Sequence, residues 1–189
     1  NPSMPYRLVH VLLASGLTVG FLIAGLSALR WVMGDRGAEV RKTLRMGVIM
    51  GAAIMPVQIY AGDMHGLNTL EYQPTKVAAM EGNWERQAGA PLLLFALPDQ
   101  AAQENHFEIG IPNLASIILT HSADGEIPGI NEVPLAEQPP VAIVFWSFRI
   151  MVGIGLVMIA VGLWGLVLRL RGKLYEPGML HRFLPVMIA

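Results

Sequence analysis

Residues 8–29 read LVHVLLASGLTVGFLIAGLSAL, 22 positions with no charge and a single histidine, His10. A helix of that length is about 33 Å long, enough to cross the hydrocarbon core of a bilayer. A secretory signal would need a basic start and a small-residue cleavage site after a shorter apolar core, and neither is clear here. Two more uncharged runs follow, residues 46–62 (17 positions) and 150–168 (19 positions). Three transmembrane helices are therefore expected, with a fourth beginning at Phe183.

Composition agrees with the runs. The chain has 189 residues, 53% hydrophobic and 14% charged, with a mean hydropathy of +0.50. A soluble domain carries roughly a quarter charged residues, so an ordinary water-soluble enzyme is excluded, and disorder with it. The net charge of −1 excludes a strongly basic nucleic-acid binder. With no cysteine there is no disulfide, Cys-ligated zinc or iron–sulfur cluster. The chain opens on Asn1 rather than Met and closes on the apolar residues 183–189, so a piece of a longer protein is expected.

Charge sets the orientation. Arg30, Arg36, Arg41, Lys42 and Arg45 lie between the first two runs, and Arg169, Arg171, Lys173 and Arg182 follow the third. By the positive-inside rule that side is cytoplasmic. Residues 63–139 carry only Lys76 and Arg86 against 11 acidic residues, so this connection is expected to face outward. The expected organisation is an all-α transmembrane helix bundle with a long outward-facing loop between helices two and three. Two helices with a cytoplasmic connection occupy 1–62, the loop 63–139, the third helix 140–170, and a cytoplasmic turn with the start of a truncated helix 171–189. Small residues at Gly16, Gly20, Ala24, Gly47, Gly51, Gly153, Gly155, Gly162 and Gly165 suit close helix packing. They would equally leave room for a flat cofactor.

The loop is too long for a simple connection and too apolar for a disordered spacer. Gln73-Pro74 followed by residues 75–85 predicts a short helix with proline near its start. Pro98-Asp99-Gln100 and Ile111-Pro112-Asn113 read as turns, and Pro128-Gly129 and Pro139-Pro140 punctuate the approach to the third helix.

Several residues could carry chemistry. His10 is the one ionisable group inside the first run; it is either functional or an interfacial histidine bonded to the loop. Met151 follows Arg149 at the outward end of the third helix, beside the aromatic residues Phe145, Trp146 and Phe148. A histidine and a methionine at similar depth on different helices could form the two axial ligands of a low-spin heme suited to electron transfer. Arg149 could neutralise heme propionates or could simply reach the membrane interface. Lys76, Glu81 and Glu85 lie on the predicted loop helix, with Glu81 and Glu85 at i, i+4. Carboxylates and a cation suit the release of protons from a quinol, and the same charges also suit a solvated helix face. His65, His106 and His121 have no metal-ligand spacing.

Five ordered blocks resemble subunit I of the cytochrome bd-type quinol oxidases: residues 6–10 (YRLVH), 61–66 (AGDMHG), 73–85 (QPTKVAAMEGNWE), 97–100 (LPDQ) and 145–153 (FWSFRIMVG). The resemblance implies that His10 and Met151 ligate the low-spin heme b, with Arg149 supporting it. Lys76 and Glu81 would be the residues of a short-type quinol loop, with ubiquinol or menaquinol as substrate and dioxygen reduced to water. It also implies the bacterial cell (inner) membrane with the loop on the periplasmic or external side. The implied partners are oxidase subunit II and, in some assemblies, a small accessory subunit. The family's high-spin heme b and heme d would be held by helices outside this chain. Its Gly-Arg-Gln-Pro-Trp block is missing here, and residues 63–66 vary among members, so His65 is given no role. The alternatives are a membrane b-type cytochrome without oxidase activity and a non-enzymatic membrane scaffold.

Overall fold

The computed structural model describes residues 2–188; Asn1 and Ala189, at the two edges of the expected organisation, lie outside the described residues. Three helices are long and apolar enough to cross a membrane: α1 (Met4–Val32), α2 (Ala38–Tyr72) and α5 (Val141–Leu170). Each continues beyond its charge-free run. α2, with 35 residues, is about 52 Å long. About 20 residues suffice to span a bilayer, so part of α2 extends into the segment read as loop.

The chain separates into two compact units. One comprises Arg7–Gly62 and Ile154–Ala189, and the other Asn1–Tyr6 and Asp63–Gly153. In the first, the helix unit, a single cluster contains Leu17, Phe21, Leu44, Val48, Met55 and Val161. Glycine makes this packing possible. A Cβ added at Gly47 would lie 2.6 Å from the Ala24 amide nitrogen and the Gly20 carbonyl oxygen, so here α1 and α2 touch through their backbones. The void beside Gly47 and Gly51 measures only about 10 Å³. That stripe serves packing and leaves no room for a flat cofactor. Beyond α5 come α6 (Met179–Phe183) and a 3₁₀ turn (Leu184–Ile188), where the start of a fourth helix is expected.

The second, the loop unit, adds structure that the all-α expectation did not contain. α3 (Pro74–Glu81) starts on proline and stops at Gly82, whose φ of 71° turns the chain out of the helix. The expected helix through residue 85 therefore ends four residues early. β2 (Leu92–Asp99) and β3 (Glu104–Ile111) form an antiparallel hairpin, and the short strands β1 (Gln87–Ala88) and β4 (Glu126–Ile127) pair with each other. Asp99 closes the hairpin by accepting the amides of Ala101 and Ala102 at 2.9 and 3.1 Å. Those two N–H groups, Ala102 first, hold its carboxyl below the ordinary value. α4 (Leu114–Thr120) is tied to the chain before β2 by Ser116, which receives the Ala90 amide and donates to the Gly125 carbonyl. Three small apolar clusters, around Val77, Ala78 and Leu93, make up the core of this unit.

Candidate functional site

Glu81 is the last residue of α3, and its carboxylate accepts a hydrogen bond from Arg149 of α5 at 2.8 Å. The two side chains are only 6% and 9% exposed. The Arg149 Nε–H donates to the Leu93 carbonyl of β2, and the guanidinium lies 4.9 and 5.4 Å from the ring centres of Phe145 and Phe148. Burying an ion pair costs desolvation that the mutual attraction roughly balances at best. Such a pair is therefore poor evidence of stabilisation. Removing one partner would leave the other charge uncompensated.

Glu81 borders a cavity of about 290 Å³ in the same unit, small for a ligand pocket. Glu81, Trp84, Glu85, Leu93, Asn105 and Glu108 are among its lining residues. Asn105 organises one wall. Its Oδ1 accepts the Trp84 indole N–H at 2.9 Å, and its Nδ2 donates to the Gly82 carbonyl and the Glu108 carboxylate at 2.8 and 2.7 Å. The arrangement offers a small polar ring an aromatic surface and a buried carboxylate, itself held by the Arg149 cation.

The structure thus brings Glu81 and Arg149 together and leaves Lys76 apart. Lys76 is exposed on α3, about 140° around the helix from Glu81, and its side chain makes no hydrogen bond or ion pair among the described residues. The solvated-face interpretation fails for Glu81, which is buried. The shared helical face of Glu81 and Glu85 also fails, because Gly82 ends the helix between them; Glu85 reaches the cavity from the following loop. Arg149 is not reaching for the interface, since its guanidinium is enclosed by Glu81, Leu93 and two rings. Asn105 and Glu108 had gone unnoticed. Their signal was the Pro98-Asp99-Gln100 turn between two apolar runs, which is a hairpin pattern.

In the helix unit, the Gln58 side-chain nitrogen lies 3.2 Å from His10 Nε2, and as an amide it donates while the ring nitrogen accepts. A Cβ at Gly62 would stand 3.7 Å from the same Nε2. In the loop unit, Met151 is 51% exposed, and Cβ atoms added at Gly153 beside it would meet nothing within 4 Å. Nor do His106 and His121 build a metal site. His106 lies 3.7–3.8 Å from Glu104 and Asp99, and His121 3.8 Å from Asp63. No cluster of three His, Cys, Asp or Glu side chains suited to a metal occurs among the described residues.

A family model described as cytochrome bd terminal oxidase subunit I matches residues 1–189. The chain belongs to that family. It is 28% identical to the cytochrome bd-II ubiquinol oxidase subunit 1 of Escherichia coli (strain K12), over 92% of this chain and 47% of that protein. It is 32% identical to the cytochrome bd ubiquinol oxidase subunit 1 of Bacillus subtilis (strain 168), over 92% of this chain and 39% of that one. A third relative, 29% identical over 89% of this chain and 39% of its own, is the putative cytochrome bd menaquinol oxidase subunit I of the same strain. The solved structure of bd oxidase from Geobacillus thermodenitrificans superposes with a TM-score of 0.89 at 30% identity, covering 99% of this chain and 43% of that one. The chain thus spans less than half the length of these relatives.

A low-spin b-type heme asks for two strong-field axial donors and apolar room for the macrocycle. An imidazole and a thioether are the right donor chemistry. Met151 is exposed on α5 with open space at Gly153 beside it, while His10 Nε2 faces the Gln58 side chain. In donor chemistry these two residues suit the group.

Proposed function

We propose that this segment, within the full-length subunit, is the quinol-oxidising and electron-entry part of a respiratory terminal oxidase. The observation that carries the proposal is the buried Glu81 carboxylate, paired with Arg149 at the wall of a cavity in a chain of the cytochrome bd subunit I family. Quinol oxidation releases two protons as well as two electrons, so its site needs a base close to the hydroxyls. Glu81 is that base, and Trp84 and Leu93 offer apolar surface to the quinol ring. Lys76, an exposed cation on α3, would attract a quinol oxygen. The relatives include a ubiquinol and a menaquinol oxidase, which supports a quinol substrate of either kind.

His10 and Met151 would hold the low-spin heme b. When bound, that heme supplies a one-electron acceptor. Dioxygen reduction, with high-spin heme b and heme d, belongs to the remainder of the subunit, and subunit II and a small accessory subunit would complete the assembly. The nine basic residues flanking the helices support a multi-pass location in the bacterial cell (inner) membrane with the 63–139 loop on the periplasmic or external side.

The experiment uses the full-length oxidase. His10→Ala and Met151→Ala should each abolish the low-spin b-heme absorbance in the reduced-minus-oxidised spectrum. An unchanged spectrum in either variant removes that residue as a ligand. Glu81→Gln should slow quinol oxidation by about a hundredfold while the heme spectrum stays intact. Wild-type turnover would reduce Glu81 to a structural charge.

A further inference from the structure

The Arg149 guanidinium, expected to support the heme, is also held on several sides within the loop unit. One N–H holds the backbone of β2 at Leu93, another holds Glu81 of α3, and the planar face rests on Phe145 and Phe148. Three elements distant in sequence therefore meet at one rigid fork. Glu81 has few other means of being fixed. It sits at the last turn of α3 immediately before the left-handed Gly82, and among the described residues its side chain pairs with Arg149 alone. The other charged groups lining the cavity near it, Glu85 and Glu108, are acidic and cannot replace the cation; Arg86 also lines it but is engaged with Glu126 and Glu132.

We propose that Arg149 is a positioning residue of the quinol site: anchored to Leu93 and the two rings, it aims the Glu81 carboxylate into the cavity of the loop unit. The inference rests on Glu81 being the quinol-site base and goes beyond it by assigning Arg149 to that base rather than to the heme alone. A lysine in its place keeps the charge but has no planar fork to bond Leu93 and Glu81 together. A neutral residue leaves Glu81 buried and unpaired.

The test is a double-mutant cycle in the assembled full-length oxidase, with a short-chain ubiquinol as the probe. Glu81→Gln is expected to lower kcat about a hundredfold and Arg149→Gln about tenfold. The double variant should be no slower than Glu81→Gln, because the second change removes an interaction already lost. Arg149→Lys guards against a folding failure and should recover part of the loss. A second readout is independent of turnover. The carboxylate infrared band that disappears in Glu81→Gln should be displaced in Arg149→Lys. Multiplicative losses of about a thousandfold in the double variant would overturn the pairing while leaving Glu81 as the base. So would an unmoved band with only the heme spectrum altered. Wild-type turnover in Glu81→Gln removes the base itself, and the pairing with it.

Discussion

In the helix unit, α1 and α2 approach until backbone meets backbone at Gly20, Ala24 and Gly47, and one contiguous apolar cluster fills the rest. The loop unit has three small clusters and closes the gaps with side-chain hydrogen bonds from Asn83, Ser116, Asn105 and Arg149. The difference follows from the sequence each has to work with. Long uncharged helices satisfy their own backbone groups, so only shape remains to be matched. A segment with 11 acidic residues and many turns must find partners for its polar atoms one at a time. Function follows the same division. The polar network can position a base and a cation, whereas the small-residue stripe offers only contact.

The sharpest way to break the contrast is at Gly47. Gly47→Ala puts a methyl group 2.6 Å from the Ala24 nitrogen and the Gly20 oxygen, and both are main-chain atoms that cannot step aside. We expect a loss of about 3 kcal/mol or more. Gly16→Ala serves as the control, because its methyl would meet only the tip of Ile54 at 3.1 Å, a side chain free to rotate, and its cost should stay below about 1 kcal/mol. Denaturation of the full-length subunit in mixed micelles measures both. Equal costs at the two sites would mean that close backbone approach is not what holds this unit.

How much of this was legible beforehand differs between the units for a physical reason. The spanning helices announce themselves as uncharged runs, since the bilayer acts on each residue separately. Their ends did not, because residues 38–45 and 63–72 are helical yet carry charge, and a charge-free run measures the membrane rather than the helix. Glu81 and Arg149 could each be singled out by type and place. Their pairing could not, being a contact across 68 positions that no local spacing encodes. Glu85 was misplaced by one residue's conformation, Gly82 at positive φ. The hairpin was visible only as its turn, because β2 is a continuous apolar run that could equally be short buried helix, and β3 mixes charged with apolar residues.

A smaller effect is expected at Asn83, where the loop unit depends on hydrogen bonding. Its Nδ2 donates to the carbonyls of Glu85 and Pro128 at 2.8 and 2.7 Å, and the residue is 5% exposed. Asn83→Ala strands both carbonyls near the β1–β4 pair, a cost of about 2 kcal/mol. Hydrogen exchange read peptide by peptide should show faster exchange over residues 83–88 and 126–130 and none of it in residues 8–29. Protection lost uniformly along the chain would show that the two units unfold as one.

The smallest effect is a slope rather than an offset, and it comes from a titratable side chain that the helix unit buries without a matched partner. His181 of α6 is 2% exposed and stacks on Trp31, with ring centres 5.6 Å apart and 22° between planes. Arg36 and Arg41 lie over the same indole at 5.3 and 5.6 Å, and Tyr175 packs beside it. Burial, and secondarily the charge of Arg36, holds the imidazole below its ordinary value. The backbone of Leu174 and Gly178 favours the charged ring, yet neither ring nitrogen completes a hydrogen bond. The unfolded chain therefore binds a proton more readily than the folded one. The stabilisation is fully present above the unfolded value of about 6.5 and is lost as pH falls below it. Thermal unfolding of the full-length protein should show a melting temperature that drops from pH 7 to pH 5. His181→Phe keeps the stacked ring and removes the titration, so it should flatten that drop. An undiminished slope in the variant would move the acid sensitivity to the carboxylates of the loop unit, where Asp99 and Glu132 are both held below their ordinary values by amide and arginine donors.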